Sequence, residues 1–332
     1  MTPPPVLRLG TRRSALAVTQ SRWVADRVEA AAARAGVPVR VELVELTSQG
    51  DASAAPLTSF GGVGVFVTRL REALLSGEVD LAVHSLKDLP TAPATGLLLA
   101  AIPPREDPRD VLVARDGLTL GGLPAGARIG TGSPRRAAQL RALGLGLQVE
   151  GVRGNVDTRL RLVHEGHFDG VILARAGLLR LGRADEATEV IDPLTMLPAP
   201  GQGALAVECR DTPAAEPVAA LLARLDDRAT RAAVSAERAL LAALEAGCAA
   251  PLGALADVAE GDDGEELLLR AVVASPDGAV CVRRSTTGPV DSADRLGKEL
   301  AAQLLEEGIA DLIPATDRAA SPDPIGIREG DT

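Results

Sequence analysis

Four short stretches of the sequence share one grammar: an apolar run ends, Gly, Ser or Arg follows, and a helical pattern begins. They are Gly10-Thr11-Arg12-Arg13-Ser14, His84-Ser85-Leu86-Lys87-Asp88, Gly130-Thr131-Gly132-Ser133-Pro134-Arg135-Arg136 and Arg153-Gly154-Asn155-Val156-Asp157-Thr158-Arg159. The third is the easiest to read. Ser133 suits an N-cap and Pro134 the first helical position. The helix start offers unpaired N–H groups and a partial positive charge to an anion. Arg135 and Arg136 add two planar guanidinium forks, the geometry carboxylates prefer. Taken singly, each stretch is equally a solvated helix start. Several of them at the carboxyl ends of strands would line one cleft and suit a multiply negative small molecule. The sequence has no G-x-x-x-x-G-K-[ST] and no G-x-G-x-x-G after a strand, so a nucleotide site is weakly supported.

Asp88, beside Lys87 just after a buried-type strand, can act as a general acid or base or stabilise a developing cation. It can equally be half of a surface ion pair of little energetic worth. His164 and His167 have helical spacing but no evident third ligand, and His84 reads as structural. Cys248 lies one residue past Gly247, which reads as the C′ residue closing a long helix. A thiol there gains no lowering of its pKa from the helix dipole, and no His is adjacent in sequence to activate it. It suits a single lasting attachment better than repeated nucleophilic attack. Cys209 and Cys281 sit in strand-like runs and are expected in the core.

Elements of α/β type must position these groups. The chain has 332 residues, with 35 Lys plus Arg against 45 Asp plus Glu. That length allows two or three domains. The net charge of −10 argues against a nucleic-acid surface. Aromatic side chains are limited to Trp23, Phe60, Phe66 and Phe168, so the cores must be Leu, Val, Ile and Ala. The odd number of widely spaced cysteines forms neither a disulfide framework nor a zinc pattern. No charged-then-apolar leader is present, and no apolar run approaches the ~18 residues of a membrane span. No metal, nucleic acid or membrane partner is expected, and a cytoplasmic location is.

Strands are expected near 6–9, 39–46 and 79–83, with helices over 14–33 and 65–75, implying a largely parallel sheet. Residues 47–64 are polar and Gly-rich, which fits a mobile lid or an inert surface loop. Strand–helix alternation resumes after Pro103-Pro104, with strands near 111–114, 128–131, 147–149 and 171–174. The Pro-Pro pair and Pro200-Gly201-Gln202-Gly203 read as paired hinges around a cleft. Beyond Pro213 come a helix over 226–246, three strand-like runs and a last helix over 292–307. The expected division is 1–103 with 204–221, an inserted 104–203, a small α+β unit over 222–315, and a polar tail over 316–332.

In order and spacing these motifs resemble hydroxymethylbilane synthases (porphobilinogen deaminases) from about Leu7 to Ile313. The most specific stretch is Glu237-Arg238 followed by Gly247-Cys248-Ala249-Ala250-Pro251-Leu252-Gly253, similar to the family's cofactor-attachment signature. Ala250 departs from the family's usual Val, Ile or Thr. Val83-His84-Ser85-Leu86-Lys87-Asp88-Leu89-Pro90, Arg153-Gly154-Asn155 and Gly201-Gln202-Gly203-Ala204 also match.

The resemblance implies two periplasmic-binding-protein-like α/β domains around a cleft plus a small C-terminal α+β domain. It implies a monomeric transferase that joins four porphobilinogen molecules into linear hydroxymethylbilane with release of ammonia. The chain would grow on a dipyrromethane primer held as a thioether on Cys248. Lys87, Ser133, Arg135 and Arg136 would hold the primer, and Arg12, Ser14, Phe66, Arg153, Arg159, Arg180 and Gln202 the substrate. Asp88 would be catalytic, bonding pyrrole N–H groups and stabilising the cationic methylene-pyrrole. Aspartates are ordinarily ionised at neutral pH, so stabilising positive charge is its easier task.

Overall fold

The computed structural model describes residues 4–46, 65–246, 250–261 and 264–312, the side chains of Val65 and Phe66 excepted. The candidate lid over 47–64 and the loop carrying Cys248 therefore lie outside the described residues.

The first sheet is built from β1 (Val6–Arg12), β2 (Arg40–Leu46), β3 (Leu81–Ser85), β4 (Leu97–Ala101) and the late strand β10 (Leu205–Arg210). Their order is β2-β1-β3-β10-β4. β1 pairs in parallel with β2 and β3, while β10 runs antiparallel to both its neighbours. Four of the five strands thus run one way, and β10, which comes after the second sheet in the chain, lies in this one.

Helices cover both faces, which is why β3 opens with three successive apolar residues, Leu81-Ala82-Val83, and is buried from Leu81 to His84. α1 (Ala15–Arg34) lays Val24, Val28 and Ala31 on Leu9, Leu81 and Val207. α2 (Val65–Leu75) puts Leu70, Ala73 and Leu74 on Val79 and Ala82 from the other side. Each fully buried Leu or Val contributes about 1.5–3 kcal/mol.

The second sheet repeats the first. It has β5 (Asp110–Ala114), β6 (Arg128–Gly130), β7 (Gln148–Glu150), β8 (Gly170–Ala174) and β9 (Glu189–Val190), in the order β7-β6-β8-β5-β9. β5 runs antiparallel to β8 and β9. Its helices are α3 (Pro134–Ala142), α4 (Val156–His164) and α5 (Arg175–Arg180). Leu140 of α3 packs on Leu112 and Ile172, and Leu160 and Val163 of α4 on Val111 and Val171. Both sheets have the same pattern, with the strand that arrives from the other sheet inserted fourth. The two halves share no repeat at the level of residue identity, so this symmetry was not visible in the sequence.

The chain passes between the sheets twice, and the two crossings touch. The Glu106 N–H donates to Gly203 O at 3.2 Å. Gly203 has φ +89°, and a Cβ there would lie 2.3 Å from Glu106 O, so only glycine fits.

After α6 (Glu216–Leu222), whose Leu222 packs in the first sheet's core together with Leu225, α7 (Arg228–Ala243) begins. With α8 (Ala293–Glu306) it covers one face of the antiparallel sheet of β11 (Leu252–Gly261), β12 (Gly264–Ala274) and β13 (Cys281–Pro289).

Two expectations fail here. α7 does not run on to Gly247. Leu244 is its C-cap and Glu245, at φ +49°, takes the left-handed position. The Glu245 N–H bonds Ala242 O and the Ala246 N–H bonds Leu241 O, closing a Schellman motif two residues earlier than expected. Cys281 is exposed rather than in the core, because it starts an edge strand, whereas Cys209 is buried.

Candidate active site

Four strands deliver the four turns. β1 and β3 are neighbours in the first sheet and β6 and β7 in the second, and each turn follows the carboxyl end of its strand. Three of the helices that follow are capped. Ser14 Oγ accepts from the Ala17 N–H at 3.3 Å, Ser133 Oγ from the Arg136 N–H at 3.4 Å, and Asn155 Oδ1 from the Thr158 N–H at 2.9 Å. Lys87 and Asp88 sit instead on a single 3-10 turn over Leu86–Asp88.

The two edges meet around a carboxylate that sequence reasoning missed. Asp110, the first residue of β5, is fully buried. Its Oδ1 accepts from Arg136 Nε at 3.1 Å, Arg136 Nη2 at 2.7 Å and Gln202 Nε2 at 2.8 Å, while its Oδ2 pairs with Arg135 Nη1 at 2.9 Å. Burial alone would raise this carboxyl, but Arg135 and Arg136 outweigh it and hold it well below the usual carboxylate range. The available signal was an acid heading the all-apolar run Val111-Leu112-Val113-Ala114.

Lys87 reaches into the same cluster from the first sheet, its Nζ donating to Gln202 Oε1 at 3.4 Å. Burial lowers the ammonium pKa to about 8, against the pull of Asp88 and with the push of Arg136. Asp88 is exposed. Arg159 Nε donates to Gly154 O at 2.9 Å, and burial together with the charge of Arg136 lowers its pKa to about 10. Arg180 Nη2 donates to Gly203 O at 2.6 Å, and burial lowers it to about 10, opposed by Glu106.

Arg12 and Ser14 are half-buried and Arg153 is exposed. Gln202 is buried with its amide used on protein: besides Lys87 and Asp110 it bonds Pro108 O at 2.7 Å. The side chain of Phe66 and all of Cys248 lie outside the described residues; Ala250, beyond the cysteine, packs in the core of α7, α8 and β11.

A second group, read in the sequence only as part of the cysteine stretch and given no role there, ties this cluster to the third unit. Glu237 of α7 is completely buried and takes four bonds. They come from Arg105 Nη1 at 2.7 Å and Nη2 at 3.1 Å, the Gly201 N–H at 2.6 Å and the Ala256 N–H at 2.8 Å. Arg105 Nε also donates to Gln202 O at 2.7 Å. One carboxylate therefore joins both crossings to α7 and β11.

Arg135 and Arg136 thus converge on one buried carboxylate, with Lys87 joined to it through Gln202 and Arg159 close enough to feel the charge of Arg136. Arg135 Nε is buried and without a hydrogen-bond partner among the described residues. The cluster has cationic donors left over, which is what a ligand carrying several carboxylates requires.

The family model described as "Porphobilinogen deaminase, dipyromethane cofactor binding domain" matches residues 7–216, and "Porphobilinogen deaminase, C-terminal domain" matches residues 231–306. The chain belongs to the porphobilinogen deaminase family. It is similar to "Porphobilinogen deaminase 1" of Streptomyces coelicolor, 57% identical over 316 residues covering 92% of this chain and 97% of that one. It is also similar to "Porphobilinogen deaminase" of Mycobacterium tuberculosis, 56% identical over 313 residues covering 93% and 98%.

Among solved structures it resembles a putative methionine-binding lipoprotein from Bacillus subtilis, 13% identical with a TM-score of 0.39, over 65% of this chain and 90% of that one. It likewise resembles the VFT2 domain of Bordetella pertussis BvgS, 14% identical with a TM-score of 0.40, over 67% and 86%.

The activity and cofactor of a porphobilinogen deaminase go with this membership. The chain is a dipyrromethane-dependent transferase of tetrapyrrole biosynthesis that forms hydroxymethylbilane. Among the described residues no helix is long and apolar enough to cross a membrane.

Proposed function

We propose that Lys87, Ser133, Arg135 and Arg136 hold the dipyrromethane primer, with Cys248 as its thioether anchor. The observation that carries this reading is the surplus of buried cationic donors around Asp110. When bound, the primer supplies the pyrrole carbon on which the chain is extended. Porphobilinogen, the substrate, brings an acetate and a propionate, which Arg12, Ser14, Arg153, Arg159 and Arg180 receive, with Phe66 packing against a pyrrole ring. Gln202 acts by orienting Lys87 and Asp110.

Asp88 is the catalytic group. As a carboxylate it accepts pyrrole N–H bonds and stabilises the positive charge that grows as ammonia leaves. Its exposure lets it exchange protons with water, giving the proton displaced from the attacked carbon a way out. The protein divides as residues 1–103 with 204–221, 104–203, and 222–315. The packing of Leu222 and Leu225 in the first core favours moving the last boundary a few residues later. We take it to work as a cytoplasmic monomer.

Intact-protein mass spectrometry tests the reading. The purified chain should carry the mass of two pyrrole rings and a ladder of added rings after porphobilinogen. Cys248→Ser should carry neither, and an active Cys248→Ala would overturn the anchor.

A further inference from the structure

Between α3 and the third unit lies a strap, Leu197-Pro198, whose backbone is used completely. Gln139, buried on the inner face of α3, grips one residue of it at both ends. Gln139 Oε1 accepts from the Leu197 N–H at 2.9 Å and Gln139 Nε2 donates to Leu197 O at 3.0 Å. The same oxygen accepts from Arg135 Nη1 at 2.5 Å, so both its lone pairs are spent. On the far side, Pro198 O accepts from the Ala254 N–H at 2.9 Å. The Leu197 side chain packs with Leu255 and Val272 of the third sheet. Gly253 leaves no slack, because a Cβ there would meet Leu197 O at 2.8 Å. Ala254 lies six residues beyond Cys248 on the strand that follows the cysteine loop.

We propose that Gln139 is a positioning residue: by clamping Leu197 between α3 and β11, it fixes the guanidinium of Arg135 relative to the start of β11, the strand that follows the cysteine in sequence. This rests on the assignment of Arg135 to the primer. Both ends of the Gln139 amide are spent on Leu197, so it acts through Arg135 and the strap. Without the clamp, two buried backbone groups lose a partner, and Arg135 loses the fixed carbonyl that aims it. The primer's growing end is then held off register from the substrate carboxylates, which other residues bind.

The test uses the full-length chain with Gln139→Leu, and Gln139→Met as a second variant should the branched side chain prevent folding. Primer mass should remain on the protein. The KM for porphobilinogen should move by less than about twofold, while turnover falls about tenfold to a hundredfold, as for any ångström-scale misplacement. The ladder of added rings should stall at its early members. A lowered melting temperature with turnover and ladder unchanged would overturn the proposal, leaving Gln139 a packing residue. Absence of pyrrole mass from the unaltered chain would instead strike the primer assignment.

Discussion

The two five-stranded sheets have the same strand order, and each carries a buried acid on its inserted antiparallel strand, yet the acids do different things. Asp110 is the first residue of β5 and lies opposite Ala174, the last residue of its neighbour β8. That places it at the carboxyl edge, where the turns converge. Glu208 is three residues further along its strand, opposite Ala82. At about 3.3 Å per residue it is roughly 10 Å deeper in the layer. There it is boxed in by Arg71 Nη2 at 2.8 Å and His84 Nε2 at 3.1 Å, both from its own unit. The same device, a buried carboxylate held by polar side chains that include at least one guanidinium, builds a ligand cluster at the edge and a structural staple in the middle.

The difference can be broken by swapping charge for neutrality at each acid. Asp110→Asn leaves Arg135 and Arg136 buried against a neutral amide. Removing one partner of such a cluster costs about 3–5 kcal/mol, and turnover should fall with it. Glu208→Gln should cost stability of the same order but leave turnover per folded molecule close to that of the parent. Chemical denaturation alongside steady-state rates separates the two, and an inactive but folded Glu208→Gln protein would erase the distinction.

A smaller effect sharpens it. The Glu208 carboxyl, raised by burial but drawn down further by His84 and Arg71, stands at about 2, below its ordinary value of 4.5. A carboxyl depressed on folding stabilises the protein above 4.5, and that stability is lost as pH falls from there towards 2, on the order of 3 kcal/mol. Stability measured from pH 6 down to pH 3 should fall less steeply in Glu208→Gln, with or without bound ligand.

The smallest effect belongs to the cleft. Lys87 should lose its proton near pH 8, and a bound carboxylate should raise that value. Its depressed value means the unfolded chain binds the extra proton between about 8 and the ordinary 10.5, so stability rises with pH across that window. Lys87 and Lys298 are the only lysines in the chain, so lysine-selective NMR resolves both. A Lys87 titration indifferent to the primer would remove it from the ligand cluster.

Local chemistry made the turns readable in the sequence. Ser133 before Pro134 and the apolar runs that open β1, β3 and β8 are signals whose causes lie within a few residues. The resemblance carried by the Cys248 stretch then pointed to the family. The roles of Asp110 and Glu237 escaped because their partners are distant in sequence: Asp110 meets Arg136 across 26 positions, and Glu237 meets Arg105 across 132. A buried acid looks like any other acid until the groups that neutralise it are placed beside it. Gly247 misled for a related reason. Glycine is the cheapest residue for the left-handed position, but the contact of Ala246 with Leu241 closed the helix sooner, at Glu245.

By itself, then, the sequence determined the α/β alternation, the capped helix start at Ser133, the glycines of the crossings and the family, since each depends on short-range sterics or on a contiguous motif. Only the tertiary structure decided that the two sheets are copies of one topology. It alone showed that Asp110 is the counter-ion shared by Arg135 and Arg136, and that Gln139 and Glu237 bind the cleft to the third unit. Those facts rest on low-dielectric contacts between segments brought together by folding, where burial makes an ion pair or a hydrogen bond matter far more than its residue types reveal.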